Sequence, residues 1–215
     1  MKHNAMTDAA KQQRRSDFIA TARQLFSATQ SLPTVADIAS AAGLAKGTVY
    51  RYFHSKEEIF IALLQDDFQA LFSALKAQLA TLPGDNIATA QSFAGLYCAQ
   101  IQRRPTLLPL AAMLNAVLEQ NLPPPVLRQF KQLLATALDQ LGQALAQRVT
   151  AISAADASQL LLHTYGLTLG LWQTLHYPAA VQALLQSAPE LSTLQRDFAT
   201  ELEQAVRQLW LGALG

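Results

Sequence analysis

The stretch that decides the fold runs from Thr34 to Phe53 and reads Thr-Val-Ala-Asp-Ile-Ala-Ser-Ala-Ala-Gly-Leu-Ala-Lys-Gly-Thr-Val-Tyr-Arg-Tyr-Phe. Thr34 and Asp37 form a capping-box-like start for a short helix. Gly43 is suited to end it, because glycine tolerates the left-handed conformation found at many helix ends. A second short helix is predicted at 47–53. Two helices joined by a glycine turn are typical of a helix-turn-helix motif, which places its second helix in the DNA major groove.

The second helix combines an apolar anchor with polar side chains. Val49 and Phe53 are four residues apart and share one face, which can pack on the neighbouring helices. Gly47 lets the backbone approach a phosphate, and Lys56 adds a cation at the start of the next helix, where backbone N–H groups favour anions. The side chains that can donate hydrogen bonds to phosphates or base edges are Lys46, Thr48, Tyr50, Arg51 and Tyr52.

At these residues the sequence resembles a known family. The series from Asp37 to Glu58 reads Asp-Ile-Ala-Ser-Ala-Ala-Gly-Leu-Ala-Lys-Gly-Thr-Val-Tyr-Arg-Tyr-Phe-His-Ser-Lys-Glu-Glu and resembles the DNA-binding signature of the tetracycline-repressor (TetR) family. The preceding helix is similar to that family's first helix, and the resemblance covers about residues 14–64. One departure is the run Gln30-Ser-Leu-Pro33, where the family more often has Gly, then an aromatic and small residues.

The resemblance implies separate roles for the residues of the motif. Thr48 and Arg51 are the candidates for base edges, since arginine can bind guanine O6 and N7 with two hydrogen bonds. Packing is the alternative role for the two tyrosines, and a solvated surface charge is the alternative for Lys56. Contacts to phosphates or adjacent sugars are implied for Thr34, Lys46, Gly47, Tyr50, Tyr52 and Lys56.

The charge distribution separates a basic head from an acidic body. Residues 1–56 carry eight Lys or Arg and three Asp, which is a net charge of +5, whereas residues 57–215 carry eight basic and twelve acidic residues, which is −4. A basic head of this kind is typical of a domain that binds a polyanion. The alternative, on charge alone, is a chance distribution of basic residues over a solvated surface. We therefore expect a helix-turn-helix domain at 1–56, ordered from about residue 12, and a ligand-binding and dimerisation domain at 57–215.

The whole chain is predicted to be helical. Ala, Leu and Gln dominate, β-branched runs are absent, and no segment alternates apolar and polar residues as a strand would. The fold class is therefore all-α, with a three-helix DNA-binding domain followed by a larger helical domain. Apolar periodicity and Pro or Gly breakers predict helices at 13–28, 34–43, 47–53, 56–82, 86–103, 106–120, 125–149, 153–176, 179–187 and 190–213.

Two of these helices suit an interface between subunits. The helix at 153–176 is apolar on nearly every side, which indicates burial on nearly every side. Gly166 and Gly170 are four residues apart and permit close approach of another helix. The last helix, at 190–213, repeats apolar residues at spacings of three and four. The family resemblance implies that two such helices from each subunit form a four-helix homodimer interface, and an ordinary intrachain bundle is the alternative.

The body also carries aromatic and polar residues within apolar helices, which is the composition of a ligand pocket. The alternative role for each of them is that of an ordinary core residue whose polar group is hydrogen-bonded within the chain. Cys98 has no basic neighbour in sequence to activate it, and the histidine spacing does not suit a metal site. We expect no cofactor, no metal and no catalytic residue. The candidate ligand-binding residues are Phe93, Tyr97, Met113, Asn115, His163, Tyr165, Trp172 and His176.

Together these features predict a cytoplasmic, homodimeric transcriptional regulator, a repressor that binds a palindromic operator in double-stranded DNA and is released by a small apolar or aromatic ligand. An enzyme is disfavoured because the sequence has no Ser-His-Asp grouping, no phosphate-binding glycine loop and no paired carboxylates. The N-terminus lacks the apolar core of a signal peptide, and no stretch is apolar for long enough to span a membrane. A DNA-binding adaptor whose body binds a protein is the alternative.

Overall fold

The computed structural model describes residues 7–83 and 85–214, and within these ranges the chain forms helices and no strand, which confirms the all-α prediction. Lys2 and the other first residues of the expected head lie outside the described residues. In the described part of the chain the α-helices are α1 (Asp8–Thr29), α2 (Val35–Ala41), α3 (Lys46–Val49), α4 (Lys56–Gln78), α5 (Asn86–Gln102), α6 (Leu107–Ala112), α7 (Pro124–Arg148), α8 (Ala154–Leu175), α9 (Ala179–Ser187) and α10 (Phe198–Leu214).

The predicted start and end of α2 are confirmed. The Thr34 hydroxyl oxygen accepts a hydrogen bond from the Asp37 N–H at 3.2 Å, and Asp37 Oδ2 accepts one from the Thr34 N–H at 2.8 Å. Gly43 has a φ of 67°, and the Leu44 N–H donates back to the Ala39 carbonyl at 2.9 Å. This is the hydrogen-bond pattern of a Schellman motif, which satisfies the last carbonyls of the helix.

Helix α1 differs from its prediction at both ends. It begins at Asp8 rather than near residue 13, because Thr7 caps it by accepting a hydrogen bond from the Ala10 N–H at 3.3 Å. It ends at Thr29, and the φ of 54° at the next residue, Gln30, lies in the left-handed region that favours glycine. This is the run in which the sequence departs from the TetR pattern, and a glutamine here adopts a conformation that glycine adopts more easily.

Outside the helix-turn-helix motif, three predicted helices are clearly shorter than expected. The predicted helix 56–82 becomes α4 followed by a 3-10 turn, Leu79–Thr81. In 106–120, α6 gives way to a π-helical turn, Leu114–Leu118, because the N–H groups of Val117 and Leu118 both reach the Met113 carbonyl. The predicted helix 190–213 is also wrong at its start: Pro189–Leu194 forms a 3-10 helix, and α10 begins only at Phe198.

The chain divides into two compact units. The first contains the residues up to Asp67 together with Pro109–Lys131, and the second contains Phe68–Leu108 with the chain from Gln132 onward. The boundary expected at residues 56 and 57 stays a prediction. In the first unit the largest fully buried side chains include Phe18, Phe26, Ile38, Phe53, Ile59 and Phe60.

The second unit has a buried core in which polar groups pair across three helices. The Trp210 ring of α10 stacks on Phe93 of α5 with centroids 4.0 Å apart, and its Nε1–H donates to the Thr164 hydroxyl of α8 at 2.9 Å. The Tyr97 and Thr168 hydroxyls lie 2.9 Å apart and are also buried. Burial raises the pKa of Tyr97 far above its usual range, so this phenol stays neutral. These bonds fix the register of α5, α8 and α10, since a buried donor without an acceptor is costly.

Replacing the acceptor of Trp210 tests this core. We expect Thr164→Val to lower the free energy of unfolding by about 1–3 kcal/mol, because the indole N–H is then buried without a partner. Thr174→Val is the matched control: Thr164 and Thr174 both donate to the carbonyl four residues earlier at 2.7 Å, but Thr174 is exposed and accepts no indole N–H. The control should change the free energy by less than about 0.5 kcal/mol.

The measurement is urea unfolding followed by circular dichroism, at one protein concentration for all variants. Equal losses in the two variants would show that the indole hydrogen bond contributes nothing beyond the loss of a threonine hydroxyl.

Candidate nucleic-acid interface

The second helix of the motif is short and rests on two buried side chains. As an α-helix it spans only Lys46–Val49, and the N–H groups of Arg51 and Tyr52 then bond to carbonyls three residues earlier. Val49 is 0% exposed and Phe53 is 2% exposed, so the predicted apolar face is buried. We call Lys46–Phe53 the reading segment. These two side chains anchor the segment to the core, whereas Lys46, Tyr50 and Arg51 are exposed.

The residues predicted to contact DNA lie mainly on the outside of the reading segment. Gly47 and Arg51 are exposed together with Lys46 and Tyr50, whereas Thr48, Tyr52 and Lys56 are half-buried. Thr48 and Arg51, the two base-edge candidates, are three residues apart and so lie on one side of the segment. Open space surrounds the position that a Gly47 side chain would occupy, so another molecule could approach the backbone here.

Four of the eight predicted DNA-binding residues line one open surface depression of about 310 Å³. They are Thr34 at the start of α2, Lys46 and Tyr50 on the reading segment, and Lys56 at the start of α4. The sequence places these four residues on three elements, and the fold brings them together. The other residues that line the depression, which sequence reasoning did not assign, are Val35, Ala36, His54, Ser55 and Glu57.

The electrostatics of the depression favour an anion. Lys46 Nζ lies 5.8 Å from the centroid of the Tyr50 ring, which holds the ammonium group at the rim. Lys56 is the first residue of α4, a helix of 23 residues whose amino end carries partial positive charge. Glu57 is the one acidic residue in the lining, and it is buried.

The Thr34 hydroxyl is already engaged within the chain. It donates its hydrogen to Asp37 Oδ2 at 2.7 Å, in addition to accepting from the Asp37 N–H. This bond, and then the one from the Thr34 backbone N–H, hold the pKa of Asp37 below its usual range, so the carboxylate stays charged near neutral pH. In this arrangement Thr34 caps α2, and it would have to release Asp37 in order to donate to a phosphate.

A second side of the reading segment faces α1. The Phe18 and Tyr52 rings meet edge to face with centroids 5.5 Å apart, and the Arg15 guanidinium carbon lies 5.0 Å from the centroid of the Phe53 ring. Arg15 therefore belongs to the surroundings of this interface, although the motif does not include it. Its spacing of three residues from Phe18 was the signal available in the sequence.

The eight candidate ligand-binding residues fall into small groups rather than one assembled set. Phe93 and Tyr97 stack on each other at 6.0 Å within the buried core, and Trp172 stacks on His176 at 4.5 Å. The Tyr165 ring meets Phe68 edge to face at 5.7 Å. His163 is exposed on α8. Met113 and Asn115 belong to the first unit and the other six to the second.

The family follows from two matches that together cover most of the chain. The model described as bacterial regulatory proteins, tetR family, matches residues 18–63, and the model described as the tetracyclin repressor-like C-terminal domain matches residues 65–215. The chain belongs to the TetR family. It is a TetR-family regulator with a helix-turn-helix motif, as the motif residues predict. The first match begins at residue 18, so the first turns of α1 lie outside it.

Solved structures show the same fold at low sequence identity. A TetR-family regulator from Mesorhizobium loti MAFF303099 is 19% identical, with a TM-score of 0.62 and 97% of each chain covered. Thermus thermophilus FadR in complex with lauroyl-CoA is 21% identical, with a TM-score of 0.55, covering 91% of this chain and 93% of that one. Bacillus subtilis FadR in complex with stearoyl-CoA is 17% identical, with a TM-score of 0.55, covering 93% and 99%. No curated protein sequence matches that of this chain.

The described residues contain neither a helix that could cross a membrane nor a group of three or more His, Cys, Asp or Glu residues placed to hold a metal ion. Cys98 is buried, and burial, followed by the charge of Glu203, raises the pKa of its thiol to about 12. The thiol is therefore protonated and unreactive near neutral pH.

Proposed function

We propose that this TetR-family regulator is a homodimeric repressor that binds a palindromic operator through its two reading segments and leaves it when an apolar ligand binds. The observation that carries the DNA-binding part is the depression lined by Thr34, Lys46, Tyr50 and Lys56 beside the exposed Arg51. A cationic concavity next to a narrow, exposed helix suits a phosphate beside a major groove.

The two kinds of contact have different physical consequences. A phosphate is the same at every base pair, so contacts from Lys46 and Lys56 add affinity and salt dependence without selecting a sequence. Arg51 is exposed and points away from the buried Val49 and Phe53, so it is free to reach a base edge. We propose that Arg51 and Thr48 read bases, and that the lysines and tyrosines position the segment.

Substitution of Arg51 and Lys56 separates these roles. Arg51→Ala should weaken binding to an operator selected from a random DNA pool by about 1–3 kcal/mol per half-site, with a much smaller effect on a scrambled duplex. Lys56→Ala should weaken both duplexes alike and reduce the salt slope by about one per protomer. Binding isotherms for both duplexes at several salt concentrations measure this.

Both variants should keep the circular dichroism of the wild type, because neither side chain is in the core. If Arg51→Ala weakens both duplexes by the same factor, Arg51 contacts a phosphate. If neither change affects binding, the interface lies elsewhere.

Three features of α8 and the segment after it support a homodimer. Residues 157–189 contain no Asp, Glu, Lys or Arg, although Leu162 is 52% exposed and Leu184 is 56% exposed. A Cβ added at Gly166 or Gly170 would have no atom of another described element within 4 Å. An uncharged surface with exposed leucines is costly in water and suits burial against a second copy of the same helix. We propose α8 and α10 as the interface, with the second helix starting at Phe198 rather than at 190.

A charge on α8 tests the dimer. Leu162→Asp should shift the protein from dimer to monomer at micromolar concentration, because a carboxylate buried between subunits has no partner. Ile87→Asp is the matched control, since Ile87 is 56% exposed and lies on α5, outside the proposed interface. Light scattering measures the mass of both variants. A wild-type monomer, or equal shifts in the two variants, would contradict the proposal.

The ligand is proposed to act by changing the separation of the reading segments. These must lie about 34–36 Å apart, or a multiple of that, to enter successive major grooves on one face of DNA. Helix α4 begins at the depression and belongs to the first unit up to Asp67 and to the second from Phe68, so it can transmit a change. Two proteins with this fold bind lauroyl-CoA and stearoyl-CoA, which makes a fatty acyl chain the first ligand chemistry to test.

Lauroyl-CoA and stearoyl-CoA are the probes for this step. We expect one of them to weaken operator binding about 5- to 150-fold, which is the usual range of allosteric coupling. Coenzyme A without an acyl chain is the control and should have no effect. Fluorescence anisotropy of labelled operator measures the change. Release by coenzyme A alone, or no release by either thioester, would contradict an acyl-chain ligand.

A further inference from the structure

The first turns of α1 carry a basic patch that the helix-turn-helix motif does not include. Lys11, Arg14 and Arg15 lie before residue 18, where the match to the DNA-binding family model begins. Arg14 and Arg15 follow Lys11 by three and four residues and precede Phe18 by four and three, so all four residues lie on one broad face of the helix. Helix α1 is continuous from Asp8 through all of them.

The contacts of this face place the patch beside the reading segment. Phe18 meets the Tyr52 ring, and the Arg15 guanidinium lies over the Phe53 ring. Tyr50, by contrast, lines the depression, together with His54. The depression and the α1 patch therefore adjoin different residues of the reading segment. A helix in the major groove has a sugar-phosphate backbone on each side, and two cationic surfaces can serve the two backbones.

The charges around the patch leave two cations available. Lys11 and Arg14 are exposed, and within residues 7–83 and 85–214 neither forms an ion pair. Of the acids on the same helix, Asp8 is in the first turn, and Asp17 accepts a hydrogen bond from Gln13 Nε2 at 2.9 Å.

Arg15 is placed differently from its two neighbours. It is half-buried over Phe53. Burial raises the pKa of Asp66, and the charges of Arg23 and then Arg15 act against that rise, so Arg15 is within electrostatic reach of this α4 carboxyl. Its position over the ring, together with its attraction to that carboxyl, suits a residue that holds α1 in place.

We propose that Lys11 and Arg14 bind DNA backbone phosphates on the side of the reading segment that faces α1, with Arg15 as the positioning residue that holds α1 against Phe53. This inference rests on the proposed DNA-binding function and adds a second phosphate site outside the motif. Because phosphates carry no sequence information, the patch raises affinity for every duplex equally and increases the salt dependence of binding.

The test uses the full chain and a mixed-sequence duplex of about three helical turns, titrated between about 50 and 200 mM salt. Lys11→Gln/Arg14→Gln should reduce the slope of log K against log salt by about two per bound protomer, at about 0.9 for each phosphate contact. Lys11→Arg/Arg14→Lys keeps both charges and should restore the wild-type slope. The matched control is Lys76→Gln/Arg103→Gln, which removes two exposed cations from the second unit and should leave the slope unchanged.

Each other outcome overturns the inference in a recognisable way. An unchanged slope in Lys11→Gln/Arg14→Gln, while Lys56→Ala lowers it, shows that DNA does not reach α1. An equal fall in the control shows a general effect of net charge. A loss confined to one DNA sequence shows a base contact instead of a phosphate contact. If the wild type binds no duplex at all, the proposed function fails together with this inference. Circular dichroism checks that every variant is folded.

Discussion

The burial of Val49 and Phe53 is the constraint on which the interface depends. The α-helical part of the reading segment has only four residues, and a helix of that length is not stable by itself in water. Its conformation is therefore imposed by the two apolar side chains that it buries. Because Val49 and Phe53 are fixed in the core, the backbone that carries the exposed Arg51 and Lys46 is held in one orientation.

The same arrangement explains why cationic groups collect around the segment. Two helices begin next to it: Thr34 caps α2, and at the start of α4 the Ser55 hydroxyl accepts a hydrogen bond from the Glu58 N–H at 3.3 Å. Lys56, the first residue of α4, and Thr34 therefore line the same depression. On the other side, Arg15 and Phe18 bring α1 against Phe53 and Tyr52. The apolar contacts that stabilise the first unit are therefore also what positions its charges.

The core of the second unit is constrained by hydrogen bonding, because its helices bury polar groups among apolar side chains. Trp210 and Tyr97 are each given a threonine partner on α8, so that aromatic area is buried without an unpaired donor. The outer side of α8 remains uncharged, with Leu162 exposed and open space at Gly170. One helix thus presents hydrogen-bonded threonines to its own core and a side without Asp, Glu, Lys or Arg to its surroundings.

Local chemistry determined much of this protein from the sequence. The capping box of Thr34 and Asp37, the left-handed Gly43 and the apolar pair Val49 and Phe53 act over four residues or fewer, and the structure has all three. The early start of α1 was missed because its first turns lack apolar periodicity, and the late start of α10 was missed because apolar spacing continues through the preceding 3-10 helix.

Only the tertiary structure decided which residues act together. Thr34, Lys46 and Lys56 are separated by ten residues or more and meet because α2, α3 and α4 pack around a common core. The same packing brought Arg15 to the reading segment and divided the candidate ligand-binding residues into separate groups. Periodicity reports which side of a helix is apolar, but the neighbour that covers that side is selected by the packing of the whole chain.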